Sequence, residues 1–197
     1  MKSKSTQERL ASEQDFFDRE SAALEDRNLV IKPHTFERYR TAHPKPGNFS
    51  KDKLFSLIVP LDGKKVLDYG CGHGENSCLL AACGAEVWGF DLSPISIAKA
   101  KRRAELNGLA DRTHFDVAAA GQTSYPDQSF DIIMAFGVLH HLHMMLDQVF
   151  DEMHRLLKTG GRVCIQEPVA NSAFLRGVRR AVLVALVATP VERQLRY

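Results

Sequence analysis

"VLDYGCGHGENS", residues 66–77, opens on Val66 and Leu67, lands on Asp68, and then sets Gly70, Gly72 and Gly74 at every second position. A short apolar run ending in glycine reads as a buried strand giving way to a tight loop. The stretch behind it, "NSCLLAACGA" (76–85), reads as a helix closed by Gly84, a residue suited to the left-handed cap. The alternation continues outward. "EVWGFD" (86–91) is a second strand, and "SPISIAKAKRRAELNG" (93–108) is a helix with a serine cap and proline in its first turn. "RTHFDV" (112–117) and "SFDIIMAFGVL" (129–139) are the third and fourth strands, "MLDQVFDEMHRLLKTGG" (145–161) is a helix with a glycine stop, and "RVCIQEP" (162–168) is the fifth strand. Strands that alternate with helices imply parallel pairing through right-handed crossovers. The expected fold is therefore α/β, a Rossmann-like open parallel sheet with helices on both faces. In such a sheet, ligands sit beyond the carboxyl ends of the strands, where the strand order reverses.

Composition separates three zones. Residues 1–50 are polar and read as an N-terminal helix (around 6–25) followed by a wrapping arm or lid, 51–168 as the sheet core, and 169–197 as a basic and apolar C-terminal segment. Residues 27–53 carry seven Lys/Arg against Glu37 and Asp52, interleaved with Phe36, Tyr39 and Phe49. Those residues suit a cover over a ligand or a solvated face better than a nucleic-acid patch, and a net charge of +2 gives nucleic acid no support. The longest apolar run, "AVLVALVA" (181–188), is far below the ~20 residues that span a bilayer. A docked helix or lid is its plain reading, and a membrane-surface helix is the alternative. The N-terminus is too acidic for a signal or transit peptide, and Cys71, Cys78, Cys83 and Cys164 lack zinc-like spacing. A cytoplasmic protein with reduced thiols is expected.

What would use so bare a loop? A dinucleotide wants Gly-x-Gly-x-x-Gly, but the third position here is Glu75, whose carboxylate would repel pyrophosphate at the helix entrance. A nicotinamide-dependent oxidoreductase is disfavoured on that ground. The spacing Asp68-x-Gly70-x-Gly72-x-Gly74 instead resembles motif I of the class I S-adenosylmethionine (SAM)-dependent methyltransferases. The likeness spans about residues 50–168 and takes in three more features. They are Asp91 in "VWGFDLSP", the segment "SYPDQSFDIIMAFGVLHHL", and "LLKTGGRVCIQEP", with Thr159 where the family usually has proline. It is closest to the small-molecule group that includes quinone-biosynthesis methyltransferases.

The resemblance implies SAM as cofactor and a small, partly apolar or anionic methyl acceptor. It assigns Asp91 to the ribose hydroxyls with Leu92 beside it, Asp68 to the cofactor's amino end, Gly70 and Gly72 to the cradle, and the main chain around Phe136 to the methionine end. Where many relatives place an acidic residue against the adenine amine, this chain has Ala119, so adenine contact passes to the backbone of Ala119 and Ala120. His140 and His141 are the candidates for general base, because histidine suits proton transfer near neutral pH. No metal site is expected: adjacent histidines point apart, and no carboxylate or cysteine lies close to them in sequence. The family normally adds two further strands after the fifth, and nothing in 169–197 reads as a hairpin. A truncated or catalytically silent relative, acting by binding SAM or a partner, is therefore the competing expectation. Oligomeric state is not legible.

Overall fold

The computed structural model describes residues 6–40 and 49–167. The basic-apolar segment 169–197 of the sequence reading lies outside them. At the centre is β1 (Lys65–Tyr69), in which Val66, Leu67, Asp68 and Tyr69 are all buried. It pairs in parallel with β2 (Glu86–Asp91) on one side and β4 (Phe130–Phe136) on the other, so Asp68 stands opposite both Gly89 and Met134. With β3 (Thr113–Val117) and β5 (Leu157–Gln166) at the edges, the order is β3-β2-β1-β4-β5, all parallel. The order reverses between β1 and β4, which is where the glycine loop emerges.

Alternation along the strands splits the core in two. Val66, Val87, Ile132 and Met134 face α4 (Phe49–Ile58), α5 (Glu75–Ala82) and α6 (Pro94–Leu106), packing on Leu79, Leu80, Ile97 and Ala100. Leu67, Phe90, Ile133 and Ala135 face α7 (Leu146–Leu156), packing on Val149, Met153 and Leu156. Burial of apolar residues on both faces is what a parallel sheet requires. Ser93 caps α6 as expected, its Oγ accepting from the Ser96 amide at 2.9 Å, with Pro94 in the first turn.

Three details go beyond the sequence reading, the first adding to it and the other two departing from it. The crossover from β3 to β4 carries no helix. Buried Glu152 on α7 pins it instead, accepting from the Thr123 amide and Oγ, each at 2.7 Å, while Arg155 donates to the Tyr125 carbonyl. Trp88, stacked on His114, with Phe130 edge-on to it, fills the sheet face left open there. Second, the proline-rich arm is partly helical. Beyond α1 (Thr6–Ala22) and α2 (Asp26–Leu29), Pro33 opens α3 (Pro33–Arg40), because a first helical turn tolerates its missing N–H. Arg38 of α3 grips buried Asp52 of α4 with two hydrogen bonds, at 2.9 and 2.5 Å. Third, α7 stops at Leu156, before the glycines, because pairing of Leu157 with Phe130 draws the chain into β5 with a register shift. Among the described residues no helix is long and apolar enough to cross a membrane.

Candidate cofactor and active site

The loop between β1 and α5 is shaped by two glycines with different tasks. At Gly70 (φ +71°) an added Cβ would stand 2.4 Å from Val138 Cγ2, so the loop can lie against the segment after β4 only because that side chain is absent. At Gly72 (φ +52°) a Cβ would meet nothing within 4 Å. It would project into open space beside a cavity of about 450 Å³, of which Gly72 is a wall.

Asp91, at the carboxyl tip of β2, organises the second wall. Its Oδ2 accepts from the Gly72 amide at 3.0 Å and its Oδ1 from the Ser93 amide at 2.9 Å. Burial raises its pKa, and those two amides pull it back. The Leu92 amide also faces it, and because a carboxylate has about four acceptor positions, roughly one remains for a ligand. Leu92, Ala118, Ala119 and Ala120 continue this wall. The Tyr69 hydroxyl donates to the Ala120 carbonyl at 3.3 Å, and the Ala118 amide donates to the Asp91 carbonyl at 3.1 Å. Asp116, three residues before Ala119, is absent from the cavity wall and accepts from the Tyr125 hydroxyl at 2.9 Å.

Asp68 does not reach the cavity. It is 1% exposed beneath the loop and accepts from Ser77 Oγ at 2.6 Å. Desolvation pushes its pKa up to about 6, against the Ser77 hydrogen bond and the charge of Lys51. Lys51 does line the cavity, its ammonium 2.9 Å from Glu75 Oε1 and 5.6 Å from the Phe136 ring centre. Asn76, also on the wall, has a buried Oδ1 with no hydrogen-bond partner among the described residues. An orphaned acceptor, a wall glycine without a neighbour and a carboxylate with spare acceptor capacity fit a polar ligand carrying a nucleoside, as SAM does.

The fourth side follows β4. Phe136, Gly137, Val138, His141 and Leu142 line it, and His140 does not. His140 Nδ1 lies 2.7 Å from Glu167 Oε2, while Glu167 Oε1 accepts from the amides of Val138 and Leu139 at 2.9 and 2.7 Å. The buried Nε2 of His140 has no hydrogen-bond partner among the described residues. The two imidazoles do not splay apart: their ring centres are 4.0 Å apart, and each has a carboxylate neighbour brought in from a distant element. For His141 this is Glu13 of α1, at 3.7 Å. Leu10 and Phe17 of the same helix complete the roof. Sequence reading missed Glu13, Phe17, Asn76 and Glu167. The spacing of Leu10, Glu13 and Phe17 at i, i+3 and i+7 was the available signal for the first two.

Fold and site together define a Rossmann-like protein with a nucleoside-sized cavity at the switch point of its sheet. The chain belongs to the methyltransferase-domain family, whose model matches residues 60–187. It is 36% identical over 152 residues to the methyltransferase GfsG of Streptomyces halstedii, covering 77% of this chain and 54% of that protein. It is 31% identical over 152 residues to the demethylmenaquinone methyltransferase of Clavibacter sepedonicus, covering 77% and 56%. The crystal structure of the [4+2]-cyclase SpnF superposes with a TM-score of 0.59 at 29% identity, covering 64% of this chain and 46% of that one. The chain spans about half the length of the curated relatives it matches.

Proposed function

We propose that the protein transfers a methyl group from SAM to a small-molecule acceptor with a largely apolar body. The observation that carries this reading is the Asp91–Gly72 hydrogen bond, which holds a bare backbone loop against a carboxylate with a free acceptor position. Family membership and the methyltransferases among its relatives support the chemistry.

Asp91 would hold the ribose hydroxyls, Leu92, Ala119 and Ala120 the adenine, and the backbone of Gly70, Gly72 and Phe136 the methionine end. Lys51, paired with Glu75, is a cation on that wall that could also face a carboxylate, and Asp68 acts from below by fixing the loop through Ser77. SAM, when bound, supplies a methyl group already activated by its sulfonium. This chain's task is then alignment, exclusion of water by the α1 roof, and acceptance of a proton where the acceptor must lose one. His141 is the base candidate by position. His140 acts through Glu167, which also fixes the Val138 and Leu139 amides. A cytoplasmic location belongs to the same proposal, and four free cysteines suit a reducing compartment.

Calorimetric titration of SAM, followed by conversion to S-adenosylhomocysteine with a metabolite extract as acceptor pool, tests the reading. Binding with turnover, both lost in Asp91→Ala, is the expected result. No heat overturns it, and heat without turnover favours the catalytically silent alternative.

A further inference from the structure

The roof helix α1 carries a carboxylate, Glu13, on the face that covers the cavity. Its Leu10, Glu13 and Phe17 face the cavity, and three polar contacts to α6 fix where they stand. Ser21 Oγ lies 2.7 Å from Ser96 Oγ, Asp18 accepts from Ser93 Oγ, and the Leu24 carbonyl just past the helix accepts from Lys99. Thus the same serine pair that opens α6 also sets the register of α1 over the site. At that register Glu13 Oε1 stands 3.7 Å from His141 Nδ1, and the Phe17 ring meets the imidazole edge-on at 5.3 Å. The two side chains are mostly covered, 15% exposed for His141 and 25% for Glu13.

Resting on the methyl-transfer reading above, we infer that Glu13 is a positioning residue that makes His141 a general base for a hydroxyl-bearing acceptor. An ionised carboxylate only accepts hydrogen bonds, so the ring nitrogen facing it carries the hydrogen. Nδ1 is that nitrogen, which leaves the lone pair of Nε2 to take a proton. Phe17 on one side and the His140 ring, 4.0 Å away on the other, restrict rotation of the imidazole. The titratable groups facing His141 are therefore Glu13 from α1 and His140 on its own turn, with Glu167 behind His140 from beyond β5. A separation of 3.7 Å is longer than a hydrogen bond, and catalytic contacts of this kind commonly tighten when the site fills.

The acceptor class follows from what such a pair is for. A neutral amine or a thiolate attacks without losing a proton first, whereas a neutral hydroxyl needs its proton removed as it attacks. Leu10, Phe17, Val138 and Leu142 around the pair exclude water and suit an uncharged body. The acceptor oxygen forms the new O–CH3 bond as the methyl–sulfur bond breaks with its electron pair left on sulfur. The hydroxyl proton passes to His141 Nε2, and Glu13 balances the imidazolium.

Long-range 1H–15N correlation spectra of histidine-labelled protein, recorded at alkaline pH with and without S-adenosylhomocysteine, test this. The His141 signals are assigned by loss in His141→Gln. The wild-type protein is expected to carry the hydrogen on Nδ1, and Glu13→Leu to make the Nε2–H form the major tautomer. Glu13→Ala is the second variant, and the wild-type spectrum decides alone if neither folds. Hydrogen on Nε2 in the wild type, or the same tautomer after either substitution, overturns the role of Glu13. In uniformly 15N-labelled protein, a Gly72 amide that does not shift on adding S-adenosylhomocysteine overturns the methyl-transfer reading and with it the acceptor class. The tautomer bears on Glu13 alone.

Discussion

The Gly72 amide donates to the Asp91 carboxylate at 3.0 Å, tying the loop after β1 to the tip of β2. One hydrogen bond thus sets the distance between the two walls that would grip a nucleoside.

Gly70→Ala and Gly72→Ala should behave differently despite sharing a left-handed backbone. Either change places a side chain where an L-residue costs about 1–2 kcal/mol. Only at Gly70 does the new methyl collide, at 2.4 Å, with Val138. Urea unfolding should show a loss of about 3 kcal/mol or more for Gly70→Ala, partly restored by adding Val138→Ala. Gly72→Ala should lose only about 1–2 kcal/mol of stability but weaken SAM by roughly tenfold or more, because its methyl enters the cavity.

Asp68 should leave a signature in the pH dependence of stability. Its carboxyl is raised from 3.8 to about 6 by burial, so the folded chain binds the proton more tightly than the unfolded chain. Stability from this group therefore falls as pH rises from about 4 to about 6 and is flat above, a change of about 3 kcal/mol at most. Asp68→Asn keeps an acceptor for Ser77 and should flatten the profile across that window, as read by urea unfolding at each pH.

Glu152 has the opposite sign. Hydrogen bonds from Arg155, then from Thr123, hold its pKa down to about 2 from 4.5. Its contribution is complete above about 4.5 and is lost as pH falls through about 2. Glu152→Ala removes the acceptor for both Thr123 donors and should cost about 3 kcal/mol at neutral pH. Because the crossover it pins leads directly from Ala118–Ala120, calorimetry should also find SAM bound more weakly. A variant with lowered stability but unchanged affinity would show that the adenine wall is set by β3 alone.

Much of this is legible in the sequence. Glycine and serine punctuation, the apolar strands and Asp91 are local signals, and they located the switch point and two walls of the cavity there. What holds the crossover from β3 to β4 was not legible. "AAAGQTSYPDQS" has neither helical spacing nor a cap, and what holds it, Glu152 and Arg155, comes from a helix about thirty residues later. The depth of Asp68 was hidden for a related reason. Motif spacing places a residue on a strand end but does not say whether its side chain faces the ligand or Ser77. The histidine pair was found by type, and its division into one cavity-facing ring and one carboxylate-bound ring came from Glu13 and Glu167, at opposite ends of the described chain.

The most direct test of the account is a crystal structure of the protein with S-adenosylhomocysteine. The ribose hydroxyls should lie on Asp91, with the adenine against Leu92, Ala119 and Ala120 and the sulfur facing the His141 side of the cavity. An adenosyl group bound anywhere else, or a cavity left empty at saturating ligand, would contradict it.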